Sequence, residues 1–210
     1  MSSGRVPTEK PRRFSVLMVC TANECRSVIG HEALEKAEAA VHLAVHSAGT
    51  EANEGSPRCE YTKLGAKNAD HTSTHIESVE LNNVDLILTM EKKHSSKIAQ
   101  LAPSVRSKTF TLPQAVSLTS AVAQSLTEKS QEFDAQLPAD WTSRTELSRL
   151  QWLVSEMNEA RGYVHLDNEE IPDAHGNKAA EHGFVLPAVA NAVGLFSGYV
   201  LKIVNFNKSK

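Results

Sequence analysis

Short apolar runs alternate along this chain with longer stretches that mix polar and apolar residues. Four of the runs have the length and composition of buried β-strands, and they occupy residues 14–19, 42–48, 84–90 and 108–112. The stretches between them predict helices at residues 27–40, 58–69 and 91–102. Strands that alternate with helices predict a parallel sheet with helices on both faces. We therefore expect an α/β protein with three layers and a four-stranded parallel sheet.

The second half of the chain has a different pattern. Residues 114–160 are mostly helical, with a break near AQLPADW and, after it, an apolar stripe that consists of Leu147, Leu150, Val154 and Met157. Residues 184–201 are eighteen residues without a charge, the length at which a membrane span must be considered. Their apolar side chains recur at three- and four-residue spacing, as on the core face of a soluble helix. We expect no membrane span, and we expect the other helix face to be covered by other elements or by a second copy in a homodimer.

Composition narrows the classes of function. With 210 residues and 40% hydrophobic content, the chain can bury one core, which fits a single domain better than two. The formal net charge of −3 gives no electrostatic case for nucleic acid as a partner. Three cysteines do not make a disulfide framework, so we expect a cytoplasmic setting. Residues 1–13 lack the apolar segment of a secretory signal and predict a disordered tail ahead of a domain at residues 14–210.

The loop after the first predicted strand carries the candidate chemistry, in the sequence VLMVCTANECRS at residues 16–27. Ligands of open parallel sheets bind at the carboxyl ends of the strands, where Cys20 lies. Backbone N–H groups of such a loop and the following helix N-terminus make an anion site that favours a thiolate, which is a competent nucleophile. Arg26 can hold two phosphoryl oxygens at once. A cysteine and an arginine at this spacing often arise by chance, but Asn23, Ser27 and the flanking strand and helix favour attack by Cys20 on phosphorus.

VLMVCTANECRS resembles the phosphate-binding loop of the low-molecular-weight protein tyrosine phosphatases. The resemblance continues in SAGT at 47–50, DLILTMEKKH at 85–94, LAPSVRSKTFTL at 101–112 and IPDAHG at 171–176, which is similar to the aspartate-bearing loop of the family. LVSEMNEARG resembles the longer actinobacterial-type members, so an extra helical segment at about 114–165 precedes the aspartate loop. The resemblance therefore covers almost everything from Phe14 onward.

The resemblance implies roles for individual residues. Cys20 matches the nucleophile that becomes phosphocysteine, Arg26 the phosphate clamp, and Asp173 the general acid that later acts as base. The residues that would surround the phosphate are Thr21, Ala22, Asn23, Glu24, Cys25 and Ser27. Ser47 and His75 match a supporting polar network that also includes Asn23 and Ser27. Cys25 matches a neighbouring cysteine that can form a reversible disulfide with Cys20, and neither a metal nor another cofactor is implied.

Several positions depart from the pattern of that family. Val28 replaces a proline, Ala174 and His175 replace a proline and an aromatic residue, and Glu24 stands where an uncharged residue is usual. The resemblance therefore implies phosphoester hydrolysis of a phosphorylated protein or a small phosphorylated substrate, with phosphotyrosine, phosphoarginine and sugar phosphates all open. Two other classes remain: an arsenate reductase, although Cys59 is the one cysteine outside the loop, and a phospho-ligand binder without activity, which would need neither thiol nor acid.

Overall fold

The structure is a computed structural model, and it describes residues 12–37, 39, 43–62, 70–128, 133–166, 168–174 and 178–207, with side chains from residue 181 onward in the last range. Residues 1–11 of the predicted tail, residues 63–69 of the predicted helix at 58–69, and His175 lie outside the described residues. Arg12 is described, and its guanidinium pairs with the Asp85 carboxylate at 2.9 Å.

The predicted four-stranded parallel sheet is confirmed. Its strands are β1 (Phe14–Cys20), β2 (Leu43–Gly49), β3 (Leu86–Thr89) and β4 (Thr109–Thr111). All neighbouring pairs are parallel, in the order β2-β1-β3-β4. Strand β1 therefore lies between two neighbours, and its carboxyl end adjoins those of β2 and β3.

Five α-helices are described: α1 (Arg26–Lys36), α2 (Lys92–Leu101), α3 (Leu112–Ser125), α4 (Glu146–Ala160) and α5 (Lys178–Val204). Short 3-10 segments lie at Glu60–Thr62, Ile76–Ser78, Leu81–Asn83, Pro103–Lys108 and Trp141–Ser143. Helix α1 is shorter than the predicted 27–40, because Ala37 is extended and its N–H bonds to the Leu34 carbonyl. In the described residues the break extends beyond AQLPADW on both sides, because α3 ends at Ser125 and α4 begins at Glu146, where the Thr145 side chain accepts the Ser148 N–H.

Side chains of β1 alternate between two cores, one on each face of the sheet. Val16, Met18 and Cys20 pack in the core that α1, α3, α4 and α5 cover. Leu17 and Val19 pack in the core that α2 and the short 3-10 segments cover. Because both faces are covered, the strand reads as a continuous apolar run rather than as an alternating one.

Helix α5 buries the face that its periodicity predicts. Its buried apolar residues are Val185, Val189, Val193, Phe196, Val200, Ile203 and Val204. On the other face, Phe184 is 81% and Leu195 55% exposed. By length and composition alone, Glu181–Val204 is apolar enough to cross a membrane, with mean hydropathy 1.7 over eighteen residues of which 33% are buried. Core helices of soluble proteins also meet these criteria. The expected absence of a span and the homodimer stay predictions.

Candidate active site

Cys20 ends β1 at the carboxyl edge of the sheet and is buried. Its Sγ lies 3.1 Å from Ser27 Oγ in the first turn of α1. The loop backbone packs directly on Gly49 at the end of β2. A Cβ atom at residue 49 would lie 2.5 Å from the Thr21 carbonyl oxygen, so glycine is required there for steric reasons.

Asn23 braces the loop. Its φ of 57° is in the left-handed region, which asparagine tolerates better than most residues. Its side chain donates to Ser27 Oγ at 2.9 Å and accepts the Thr74 N–H at 2.9 Å. Its backbone carbonyl accepts hydrogen bonds from His71 Nε2 at 2.8 Å and Ser73 Oγ at 3.1 Å. The buried amide thereby fixes both the loop and the serine beside the thiol.

The loop carbonyls bond to the surrounding chain. The Cys20 and Thr21 carbonyls accept the N–H groups of Thr50 and Glu51, at 3.0 and 2.9 Å. The Glu24 carbonyl accepts the Cys59 N–H at 3.0 Å. Because the carbonyl and the N–H of one peptide unit point in opposite directions, these bonds leave the loop N–H groups for the inner side of the loop. That arrangement, at the N-terminus of a helix, can bind an anion.

Arg26 joins the loop to two distant acidic residues. Its guanidinium is buried and donates to the Glu91 carboxylate, to the Ile171 carbonyl at 2.9 Å and to Asp173 Oδ2 at 2.7 Å. It also donates to Thr21 Oγ1 at 3.3 Å. Asp173 is partly exposed, with 32% of its side chain accessible. The chain thus brings Asp173 to the edge of the loop that carries Cys20.

Glu91 follows β3, the neighbour of β1 in the sheet, and its carboxyl group is strongly biased toward ionisation. Burial alone would raise the pKa of Glu91, but hydrogen bonds from Arg26 and Lys93 outweigh burial and hold the pKa below its ordinary value. A negative charge therefore stays beside the Arg26 guanidinium over the whole physiological range of pH.

His94 in α2 is neutral and has a defined tautomer. Burial, followed by the positive charge of Arg26, lowers the pKa of His94 to about 4. The Glu91 N–H donates to His94 Nδ1 at 3.1 Å, so the ring proton lies on Nε2, which donates to Thr21 Oγ1 at 3.0 Å. Thr21 Oγ1 thus accepts from both His94 and Arg26.

The other predicted site residues, Ala22, Glu24, His75 and Ser47, differ in their positions relative to the loop. Ala22 is in the loop and is half-buried, as is the Glu24 side chain. The His75 ring accepts the Glu77 N–H at 3.2 Å, and the nearby residues His71, Ser73 and Thr74 donate to Asn23. Ser47 is half-buried near the end of β2.

Cys25 contacts side chains that the sequence gave no reason to expect. Its Sγ lies 3.5 Å from His182 Nε2, which in turn lies 3.5 Å from Cys59 Sγ. The disulfide between Cys20 and Cys25 stays a prediction. Glu91 and His94 are the other residues that the sequence did not single out. Both residues follow the predicted strand at residues 84–90, and ligands of parallel sheets bind at the carboxyl ends of the strands. That position was the one feature of the sequence that could have indicated them.

Comparisons with known proteins agree with this geometry. Residues 15–139 match the family described as low molecular weight phosphotyrosine protein phosphatase. The probable low molecular weight protein-tyrosine-phosphatase AmsI of Erwinia amylovora is 36% identical over 101 residues, which are 46% of this chain and 69% of that protein. A protein-arginine-phosphatase of Geobacillus stearothermophilus is 34% identical over 108 residues, 50% of this chain and 72% of that protein.

A solution structure of a low molecular weight protein tyrosine phosphatase from Bacillus subtilis has the same fold. It aligns with a TM-score of 0.55 at 18% identity, over 90% of this chain and 98% of the other. The matched residues contain the phosphate-binding loop, the four strands except Phe14, and Glu91, the acidic residue that follows β3. This chain therefore belongs to the low molecular weight phosphotyrosine protein phosphatase family, whose members are hydrolases.

Proposed function

We propose that this protein hydrolyses a phosphomonoester of a phosphorylated protein through a phosphocysteine intermediate. The observation that carries the proposal is the bond between Arg26 and Asp173 Oδ2, which are 147 residues apart in sequence. A nucleophile candidate, a phosphate clamp and a carboxylic acid converge on one loop, and a two-step displacement needs those three groups.

In the first step, Cys20 Sγ attacks phosphorus. The S–P bond forms as the P–O bond to the leaving group breaks, and Asp173 gives its proton to the departing oxygen. Arg26 exchanges its bonds to Asp173 and Thr21 for bonds to two phosphoryl oxygens, while the loop N–H groups and the Thr21 hydroxyl bind the remaining charge. Ser27 Oγ, 3.1 Å from the sulfur, stabilises the thiolate as nucleophile and later as leaving group.

In the second step, water attacks the phosphocysteine. Asp173, now ionised, accepts a proton from that water, the S–P bond breaks, and inorganic phosphate leaves. Glu91 accepts a hydrogen bond from Arg26 in both steps. The guanidinium plane therefore keeps its orientation when Asp173 leaves it and acts as the base.

Phosphotyrosine is the substrate that we propose first, and phosphoarginine is the second candidate. Glu24 favours the second, because a carboxylate at the loop rim can bind a guanidinium with two hydrogen bonds. The similarity to the protein-arginine-phosphatase of Geobacillus stearothermophilus points the same way. A cytoplasmic setting remains our prediction from the cysteine content.

Turnover of p-nitrophenyl phosphate by the wild type and by Cys20→Ser tests the proposal. We expect the wild type to turn over and the variant to be inactive, with phosphate affinity measured by calorimetry within about threefold, because the loop N–H groups and Arg26 remain. Variant activity within tenfold of the wild type would rule out the covalent mechanism. A wild type that binds phosphate without turnover would indicate a phospho-ligand binder, and arsenate-dependent oxidation of its thiols would indicate a reductase.

A further inference from the structure

Two thiols and an imidazole meet behind the phosphate-binding loop. Cys25 Sγ and Cys59 Sγ each lie 3.5 Å from His182 Nε2, and the three atoms lie within 4.8 Å of one another. Cys25 and His182 are buried, and Cys59 is half-buried. We call these three residues the thiol–imidazole cluster. The proposed mechanism uses neither the two sulfur atoms nor the His182 ring.

The backbone holds the thiol–imidazole cluster in place. Cys25 is the residue directly before α1, and the Cys59 N–H bonds to the carbonyl of Glu24, the residue before Cys25, at 3.0 Å. Arg58, next to Cys59, is fixed by a buried ion pair with Glu32 of α1 at 2.7 Å. The His182 ring lies against the Tyr61 ring, with 4.3 Å between ring centroids. The three ligand atoms are therefore positioned by the fold before any ion binds.

The geometry points to a zinc site made of Cys25, Cys59 and His182. In a tetrahedral zinc site, Zn–S distances of about 2.3 Å and Zn–N distances of about 2.0–2.1 Å place sulfur and nitrogen about 3.6 Å apart. Both sulfur-to-nitrogen distances in the cluster are 3.5 Å. Two thiolates and one imidazole select a soft or borderline ion such as Zn²⁺ over Mg²⁺ or Ca²⁺. Three protein ligands leave the fourth position for water or another donor.

An ion would also change the protonation of the thiols. A cysteine binds Zn²⁺ as its thiolate, so the proton that the free thiol carries must be lost when the ion binds. Zn²⁺ replaces that proton, because a coordinated thiol is deprotonated. Binding therefore releases protons and weakens as the pH falls. Zinc and a Cys20–Cys25 disulfide would compete for the same sulfur atom.

Zinc titration of the full-length, reduced and chelator-stripped protein against a chromophoric chelator tests the site. We expect one Zn²⁺ per chain with a Kd on the order of 10 nM or tighter at pH 7.5, and at least about tenfold weaker binding for each pH unit below it. Co²⁺ in place of Zn²⁺ should give the visible spectrum of tetrahedral cobalt together with thiolate-to-cobalt charge-transfer absorption. A Kd weaker than micromolar, or a cobalt spectrum without thiolate bands, would overturn the proposal.

Matched variants locate the ion. Cys59→Ser and His182→Ala should each weaken zinc binding by about 100-fold or more, whereas Cys20→Ser and the exposed control His165→Ala should bind as the wild type does. Zinc that persists in Cys59→Ser and His182→Ala but is lost in Cys20→Ser would place the ion on the nucleophile and refute the site. If His182→Ala does not fold, Cys59→Ser and the wild-type cobalt spectrum still decide between these outcomes.

Discussion

Arg26 and Arg149 are both large side chains that are almost completely buried, and each lies at one end of a helix, Arg26 at the start of α1 and Arg149 against the end of α5. Arg26 is the first residue of α1, where the helix dipole is positive, and two carboxylates, Glu91 and Asp173, bind its guanidinium. Arg149 binds the carbonyl of Val204, the last residue of α5, at 2.6 Å. There the dipole is negative and favours a cation.

The partners of the two arginines differ in whether they can be exchanged. Arg149 donates to the Trp141 and Thr142 carbonyls at 2.9 and 3.3 Å and lies over the Trp141 ring, 4.8 Å from its centroid. Backbone carbonyls cannot leave without unfolding the chain. Asp173 is a partly exposed side chain, so an incoming phosphoryl group can replace it. Burial therefore does not distinguish a structural arginine from a functional one, but the mobility of its partners does.

Among the predictions, removal of the Asp173 carboxylate has the largest expected effect on kcat. We expect Asp173→Asn to lower kcat by about 10²–10⁴-fold for phenyl phosphate and less for p-nitrophenyl phosphate, whose leaving group needs no proton. Phosphate should bind Arg26 more tightly, because a competing anion is gone. Asp140→Asn, which weakens the exposed pair with Arg144 near Arg149, is the control and should stay within twofold. Equal losses for both leaving groups would indicate that Asp173 has a structural role instead.

The conservative substitution of each buried arginine separates the two roles. We expect Arg26→Lys to lower kcat/KM by about 10²–10³-fold, since an ammonium cannot bind two phosphoryl oxygens in one plane. Arg149→Lys should leave kcat/KM within about twofold. Steady-state kinetics on p-nitrophenyl phosphate measure both variants. A loss in Arg149→Lys comparable to that in Arg26→Lys would contradict the division between functional and structural guanidinium groups.

Arg149→Met should act on stability alone. The substitution removes the guanidinium donor from the carbonyls of Val204, Trp141 and Thr142, of which Trp141 keeps the Arg144 N–H, so we expect the free energy of unfolding to fall by about 3 kcal/mol and Tm by about 6–12 °C. Arg144→Met removes an arginine from an exposed pair in the same region and should change the free energy by less than about 1 kcal/mol. Urea denaturation of both variants provides the measurement, and equal effects would show that the carbonyl contacts of Arg149 contribute little.

Burial of His94, together with the charge of Arg26, makes the stability of the fold depend on pH. His94, whose pKa is lowered to about 4, stays neutral in the folded state, while the unfolded chain protonates it below about pH 6.5. The unfolded state then binds more protons, so stability falls as the pH falls between these two values. We expect the wild type to lose about 2 kcal/mol more than His94→Asn between pH 7 and pH 5. The exposed control His165→Asn should lose as much as the wild type.

The sequence predicted the features that depend on neighbouring residues. The four strands and the buried face of α5 follow from short-range periodicity, and the contact between Cys20 and Ser27 follows from a loop of a few residues. The role of Asp173 was inferred from the family resemblance alone, because an aspartate after a proline is common in turns and does not by itself indicate a catalytic acid. The contact between Cys25 and His182 spans 157 positions, and no periodicity encodes such a pair. Histidine spacing therefore gave no indication of the thiol–imidazole cluster.

His75 shows a second limit of local reasoning. We expected its side chain to support the loop, but its ring caps the Ile76–Ser78 segment and its neighbours His71, Ser73 and Thr74 make the bonds to Asn23. A segment that crosses beside a loop offers side chains and N–H groups at several successive positions. The sequence can indicate that the segment lies there, whereas the choice among adjacent donors depends on backbone torsions.

Glu24 is a third carboxylate near the positive end of α1, and its substitution should have the smallest effect. Burial is the main cause of the raised pKa of Cys25, and the negative charge of Glu24 makes a smaller contribution, so the carboxylate acts electrostatically on the loop. After solvent screening, we expect it to oppose a dianionic aryl phosphate by about 1 kcal/mol. Glu24→Ile should therefore raise kcat/KM for phosphotyrosine peptides about five- to tenfold and lower it for phosphoarginine peptides. Glu51→Ile, at an exposed carboxylate in the adjoining loop, should leave the ratio of the two unchanged. The same ratio in Glu24→Ile and the wild type would show that Glu24 does not contact the leaving group, and that Asp173 and Glu91 alone balance the charge of Arg26.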